Sequence, residues 1–396
     1  MQSYNLTDAK KINIAVAVTL LYVPLMGYIE GQFGHNGIYH VVQGLYLLSF
    51  LFALPSIIKC INIKVILFVT SFSFFFLLSY LGKTDIDVFQ QALRNIFLWC
   101  LPYFVLSFSV RNYEDIIRKF KYVSLLMLII GYLRTFTLTF SSDNYSQDLG
   151  YDVLLPFIVY FLALIKERKI WYIIPIVVSF ALMLMSGSRG PLLCAIAGAI
   201  LAYIIVNGIN KKDIFILILI SIICVIYNIY RIQILNWTLY FFSSLDVSVR
   251  SVEMLLYNDI SDDQSRHRLR MIAINYILDH PFIGSGFIND RAYIYSQYII
   301  NKTATVYGSY CHNFFLEIMM QFGLMPGLFV IVVFLKKIFS IIRHSISKME
   351  KEYIVIVLTI GFFPLLVSRS WITFHMFYMV IGLCLLVNKK GKECLQ

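Results

Sequence analysis

His312 and Asn313 stand where a long polar stretch gives way to an apolar one, in "YCHNFFLEIMMQFGLMPGLF". An imidazole with an ordinary pKa of about 6.5 is suited to take a proton from a hydroxyl, so His312 is a candidate general base. Asn313 and Glu317 follow about one turn apart and are candidate supporting groups on one helix face. Arginines supply the complementary chemistry. Arg189 lies in "MSGSRGPLLC", and Arg266, Arg268 and Arg270 lie in "RHRLRMIAINYILDH". A planar guanidinium grips two phosphate oxygens at once. With Ser188 or Gly190 as N-cap and Pro191 in the first turn, a helix starting here sets free N–H groups and a positive dipole end beside Arg189, which favours an anion.

Plainer readings stand beside these. Interfacial arginines snorkel to lipid headgroups, which suits Arg369 in "VSRSW" best and Arg94 least, with Arg134 also inside a span. A lone histidine caps a helix or sits at the interface. Tyr293, Tyr295, Tyr298, Tyr307 and Tyr310 either stack on sugar rings or are ordinary interfacial tyrosines. Asp259, Asp262 and Asp263 either hold a divalent ion or form a solvated loop. The spacing of His35, His40, His267 and His280 shows no metal site, and no metal or other cofactor is expected.

These residues need a membrane scaffold to position them. The chain has 396 residues, 59% hydrophobic and 14% charged, with a mean hydropathy of +0.77. Soluble domains carry about 25% charged residues. Continuous apolar runs predict an all-α polytopic membrane protein of about twelve spans rather than a β-barrel. The spans fall near 12–29, 38–58, 62–81, 89–110, 120–140, 151–165, 170–186, 190–206, 213–230, 312–335, 352–367 and 370–387. The chain thus divides into spans over 1–230, a large outer loop over 231–311, and spans with a tail over 312–396.

Orientation follows from lysine and arginine in the short loops. Lys10, Lys11, Lys59, Lys64, the 111–121 and 166–169 clusters, Lys211, Lys212, the 336–351 cluster, Lys389 and Lys390 gather on one side. That side is read as cytoplasmic, with both termini. The net charge of +11 is therefore a topology signal and not evidence for nucleic acid. Arg189 is conspicuous because it falls on the opposite, Lys-poor side. The outer loop has its own patterning: Leu269, Ile272, Ala273, Tyr276 and Ile277 recur at helical spacing, before a turn at "PFIGSGF". The seven cysteines include no CxxC pair and suggest no disulfide framework. No P-loop or dinucleotide fingerprint is present.

"SGSRGPLL", then "RHRLRMIAINYILDHPFIGSGF", then "HNFFLEIMMQFGLMPGL" resembles the O-antigen polymerase and ligase superfamily, over roughly residues 170–335. The resemblance implies a GT-C-like fold with a large periplasmic loop, in the bacterial cytoplasmic (inner) membrane. It implies a glycosyltransferase whose donor is an undecaprenyl-pyrophosphate-linked oligosaccharide, with membrane lipid and a chain-length regulator protein as partners. Arg189 and the loop arginines Arg266, Arg268 and Arg270 would hold the pyrophosphate, and His312 would orient or deprotonate the acceptor hydroxyl. Polymerase is the preferred reading. A ligase acting on lipid A-core and a flippase of lipid-linked oligosaccharide are the alternatives. Arg189 and His312 are expected to face each other across a lipid-facing cavity.

Overall fold

A computed structural model describes residues 6–35, 37–81, 85–138, 147–186, 188–208, 233–241, 243–244, 256, 260–298, 305–345 and 347–386. Helix is the only regular secondary structure among them. Helices satisfy every backbone polar group internally, as a hydrocarbon environment demands. In chain order they are α1 (Leu6–Phe33), α2 (Gly37–Ile58), α3 (Ile63–Leu81), α4 (Ile86–Asn95), a π-helical segment (Ile96–Cys100), α5 (Leu101–Ser109), α6 (Tyr113–Leu138), α7 (Gln147–Asp152), α8 (Leu154–Glu167), α9 (Ile173–Met185) and α10 (Arg189–Asn207). Then come α11 (Ile260–Asp279), α12 (Asn289–Gln297), α13 (Phe314–Phe322), α14 (Leu324–His344), α15 (Lys348–Gly361), α16 (Phe363–Val367) and α17 (His375–Leu386).

Seven helices among the described residues are long and apolar enough to cross a membrane: Leu6–Phe33, Gly37–Ile58, Ile63–Tyr80, Ile86–Ser109, Gln147–Glu167, Arg189–Val206 and Leu324–His344. Ile170–Met185 and His375–Leu386 are shorter apolar helices. The chain is a multi-pass α-helical membrane protein. The expected span at 213–230 lies outside the described residues, as do Asp259, Lys211, Lys212, Lys389 and Lys390 and the side chains of Asp262 and Asp263.

The layering follows from which helices are apolar all round. Every residue of α15 from Glu352 to Gly361 is buried, whereas α2 and α3 turn most of their side chains outward. Small residues let the central helices close up. A Cβ on Gly361 would lie 2.6 Å from the Met376 carbonyl oxygen, and one on Gly382 would lie 2.5 Å from that of Phe104.

Some predicted spans are interrupted or begin late, among them 352–367, which divides at Phe362 into α15 and α16. The run expected over 312–335 is broken at Gly323, whose φ of 91° places it where glycine is at ease. The "PFIGSGF" turn docks into this break: Ser285 N–H donates to the Met320 carbonyl at 2.9 Å, and Gly286 N–H to that of Gln321 at 3.0 Å. A side chain at Gly284 would meet the Gln321 backbone at 2.5 Å. His312 therefore precedes the short α13 and lies outside the membrane-crossing helix α14. The run expected over 370–387 likewise begins late, because 368–374 forms a non-helical turn before α17. The loop helix α11 forms as its spacing predicts. Leu269, Ala273 and Ile277 are buried against Ile294, Cys311 and Met320.

Candidate active site

The site is assembled around the 368–373 turn. Asn95, at the start of the π-helical segment, donates to the carbonyls of Ile372 and Thr373 at 3.0 and 3.2 Å. At the other end, the Ser368 hydroxyl is within 2.6 Å of the Tyr151 hydroxyl and accepts from the Gln147 amide at 2.5 Å. The Ser370 hydroxyl accepts from Arg291 at 2.6 Å and donates to Glu317. Trp371 donates its backbone N–H to Glu317 at 3.3 Å and its indole N–H to Gln321 at 3.0 Å.

His312 is held against this turn. Its Nδ1 is 3.0 Å from the Ser368 carbonyl oxygen. A carbonyl only accepts, so Nδ1 carries the proton, and the neutral ring leaves its lone pair on Nε2. The Tyr310 ring packs 4.1 Å from the imidazole, and its hydroxyl donates to the same carbonyl at 2.8 Å. The His312 backbone has φ of 53°, a left-handed conformation costing a non-glycine residue roughly 1–2 kcal/mol. Such strain persists only where surrounding contacts over-determine it, and it clusters at functional sites. Burial pushes the His312 pKa down to about 4. The Ser368 hydrogen bond opposes the shift, and the charges of Arg266, Arg270 and Arg291 add to it.

The loop arginines are thereby sorted. Arg266 and Arg270 stand one turn apart on α11 and both bear on His312. Arg268 and Arg270 are both exposed, and Arg268 lies about 200° round the helix from Arg266. Arg189 opens α10 with Ser188 as an extended N-cap that makes no side-chain capping bond. Its neighbour Gly190 is wedged against Tyr151 and Val367, immediately before Ser368. The Arg189 side chain is half-buried.

Several expectations change. Asn313 is the N-cap of α13, accepting from the N–H groups of Phe315 and Leu316 at 3.0 and 3.1 Å. Glu317 shares no open face with it. It is fully buried and 3.5 Å from the equally buried Arg291. Tyr307 and Tyr310 stack on the Arg291 guanidinium, at 5.1 and 5.4 Å, and Tyr293 packs on Tyr276 at 4.6 Å. Arg369 does not snorkel. It pairs with Asp148 and lies over the Tyr151 ring at 4.8 Å. Arg134 pairs with Asp152, while Arg94 is exposed. A cavity of about 240 Å³ opens beside the 368–373 turn. Neither Arg189 nor His312 lines it, so the shared cavity expected between them is not this one.

Arg291 escaped the sequence reading, although the "NDRAY" pair of opposite charges was its available signal. It joins α12, the Tyr307–Tyr310 segment, the 368–373 turn and α13. Removing one partner of a buried ion pair strands the other charge and costs about 3–5 kcal/mol. Glu317→Ala is accordingly expected to lower the thermal unfolding midpoint in detergent sharply, and an unchanged midpoint would contradict this network.

Comparison with known proteins places this arrangement in context. Residues 174–332 match the model of the O-antigen ligase family. The match bears out the resemblance to the O-antigen polymerase and ligase superfamily, whose members are glycan-transferring membrane enzymes. It runs from α9 through Arg189, α11 and His312 into α14. It does not distinguish polymerase from ligase, and it lends the flippase reading no support. No curated protein matches the chain.

Proposed function

We propose that the protein is an O-antigen polymerase. It transfers glycan from an undecaprenyl-pyrophosphate carrier to a sugar hydroxyl of a second lipid-linked unit, at the outer face of the bacterial inner membrane. The observation that carries this reading is the His312 ring. Its Nδ1–H is tied to the Ser368 carbonyl, which leaves Nε2 to receive a proton under the influence of Arg266 and Arg270. In the transfer, the acceptor oxygen forms its bond to the anomeric carbon as the bond from that carbon to the pyrophosphate breaks. The hydroxyl proton passes to Nε2, and the electron pair leaves with the pyrophosphate, whose growing charge the arginines stabilise. Arg189, at the start of α10, joins Arg266 and Arg270 in that role. The leaving group carries its own activation, so the chemistry calls on no metal. Both termini are assigned to the cytoplasm, and a chain-length regulator is the expected protein partner.

The matched family's description, O-antigen ligase, supports a second reading, transfer to lipid A-core. Glycan analysis of a deletion strain separates the two. Single repeat units on lipid A-core support polymerase. Carrier-linked polymer that never reaches lipid A-core supports ligase and overturns the polymerase reading.

The depressed pKa gives a pH prediction. A His with a folded pKa near 4 stays neutral, and able to accept a proton, well below the 6.5 at which an exposed imidazole charges. In reconstituted enzyme, kcat/KM is expected to hold level from pH 7 to about 5 and to fall toward about 4. Bound pyrophosphate offsets the arginines and stabilises the imidazolium, so the acidic limb of kcat lies higher than that of kcat/KM. A kcat/KM midpoint near 6.5 would contradict the burial of His312.

A further inference from the structure

The cavity of about 240 Å³ beside the 368–373 turn is lined by α1, α6, the α7–α8 region, α15 and the start of α17. Its charges cancel. Arg134 pairs with Asp152 deep in the wall, and Arg369 pairs with Asp148, whose side chain is 69% exposed and marks the mouth. Two of its lining residues each carry a buried polar atom with no hydrogen-bond partner among the described residues, His375 Nε2 and Arg369 Nε. Buried polar groups are rarely left so, because desolvation goes unrepaid. Val23, Met127, Leu155 and Ile360 supply apolar wall between the ion pairs.

We propose that this cavity is a sugar subsite, taking one pyranose ring of the acceptor glycan. The inference rests on the glycosyltransferase reading above and adds where the acceptor is held. A pyranose ring matches the lining in three ways. Its hydroxyls both donate and accept, so they satisfy the imidazole nitrogen and the guanidinium N–H together. Its C–H faces meet the apolar wall. It is uncharged, as a site with paired ions requires. A pyrophosphate does not fit, because both guanidinium groups already face carboxylates. The volume lies below the roughly 300–1,000 Å³ of pockets for drug-sized ligands, which suits one ring and not a chain. The position suits an acceptor. Arg369 borders the cavity, and the carbonyl of its neighbour Ser368 orients His312.

The test uses the full chain in lipid nanodiscs. The probe is the glycan released by mild acid from the lipid-linked pool of a strain lacking this protein. Binding is read by saturation-transfer NMR, and transfer is read in parallel with the intact lipid-linked pool. Gly27 abuts the Arg134 guanidinium, its Cβ direction ending 3.2 Å from Cζ, so Gly27→Leu fills the cavity without altering a charge. Glycan binding is expected in the wild-type protein and at least tenfold weaker in Gly27→Leu. His375→Phe keeps a ring against Tyr103, now 4.6 Å away, and removes the unpartnered nitrogen. It is expected to weaken binding severalfold, and it carries the test if the leucine variant does not fold. Absence of binding to the wild type, or binding indifferent to both substitutions, overturns the subsite. Binding that the substitutions weaken, with no transfer by the wild type, supports the subsite and overturns the glycosyltransferase reading instead.

Discussion

His312→Ala is expected to lower glycan transfer by about 10²–10⁴-fold, the usual contribution of a positioned general base. A sugar hydroxyl is a poor nucleophile, and His312 Nε2 is the basic atom that the Ser368 hydrogen bond leaves open. Alanine keeps the chain but loses that atom. His312→Asn guards against a folding artefact, because asparagine tolerates the left-handed backbone that this position adopts. It should fold as the wild type does and be equally inactive. His312→Gln separates two roles, since it offers a hydrogen bond but no base. If glutamine restores most transfer from the lipid-linked pool, His312 orients the hydroxyl and does not deprotonate it. Glu317 is no substitute base, being fully buried and engaged by Arg291, Ser370 and Trp371. Near-normal transfer by the alanine variant at equal protein level would remove His312 from the site.

How far the sequence could be read follows from the range of each interaction. The helix at α11 was legible because its signal is local: Leu269, Ala273 and Ile277 repeat at the spacing of one helix face and bury that face. Arg189 at a helix start was legible for the same reason, from the neighbouring serine, glycine and proline. The break at Gly323 was not, because hydropathy continues across it. Only the docked "PFIGSGF" turn and the positive φ separate α13 from α14. Long-range partners were least legible. Arg369 meets Asp148 from 221 residues away, Arg291 meets Ser370 from 79 away, and Ser370 meets Glu317 from 53 away. Nothing beside Arg369 in "VSRSW" announces such a partner, and the ion pair with Asp148 replaces the interfacial reading. His312 and its turn sit at the crossing of these two classes. The residue was visible in the sequence, but the carbonyl that sets its tautomer was not.

The same division gives Arg189→Lys its expected result, a loss of about 10²–10³ in transfer, or roughly 2–4 kcal/mol of barrier. Lysine preserves the charge and cannot form the two-pronged contact of a guanidinium with phosphate. The location of Arg189 makes this loss hard to repair. Gly190 and Pro191 are packed against Tyr151, Val367 and Gly150, so the start of α10 cannot slide to bring a lysine closer. Arg266→Lys should resemble Arg189→Lys, since the proposed grip on the pyrophosphate needs a guanidinium fork there as well. Arg268→Lys, on the exposed far side of α11, should stay within about twofold of wild type, as surface substitutions usually do. All three are measured in proteoliposomes at equal protein level, with the lipid-linked pool as substrate. Near-normal transfer by Arg266→Lys and Arg268→Lys alike would mean a diffuse field rather than a gripping site, and near-normal transfer by Arg189→Lys would mean that Arg189 does not touch the pyrophosphate.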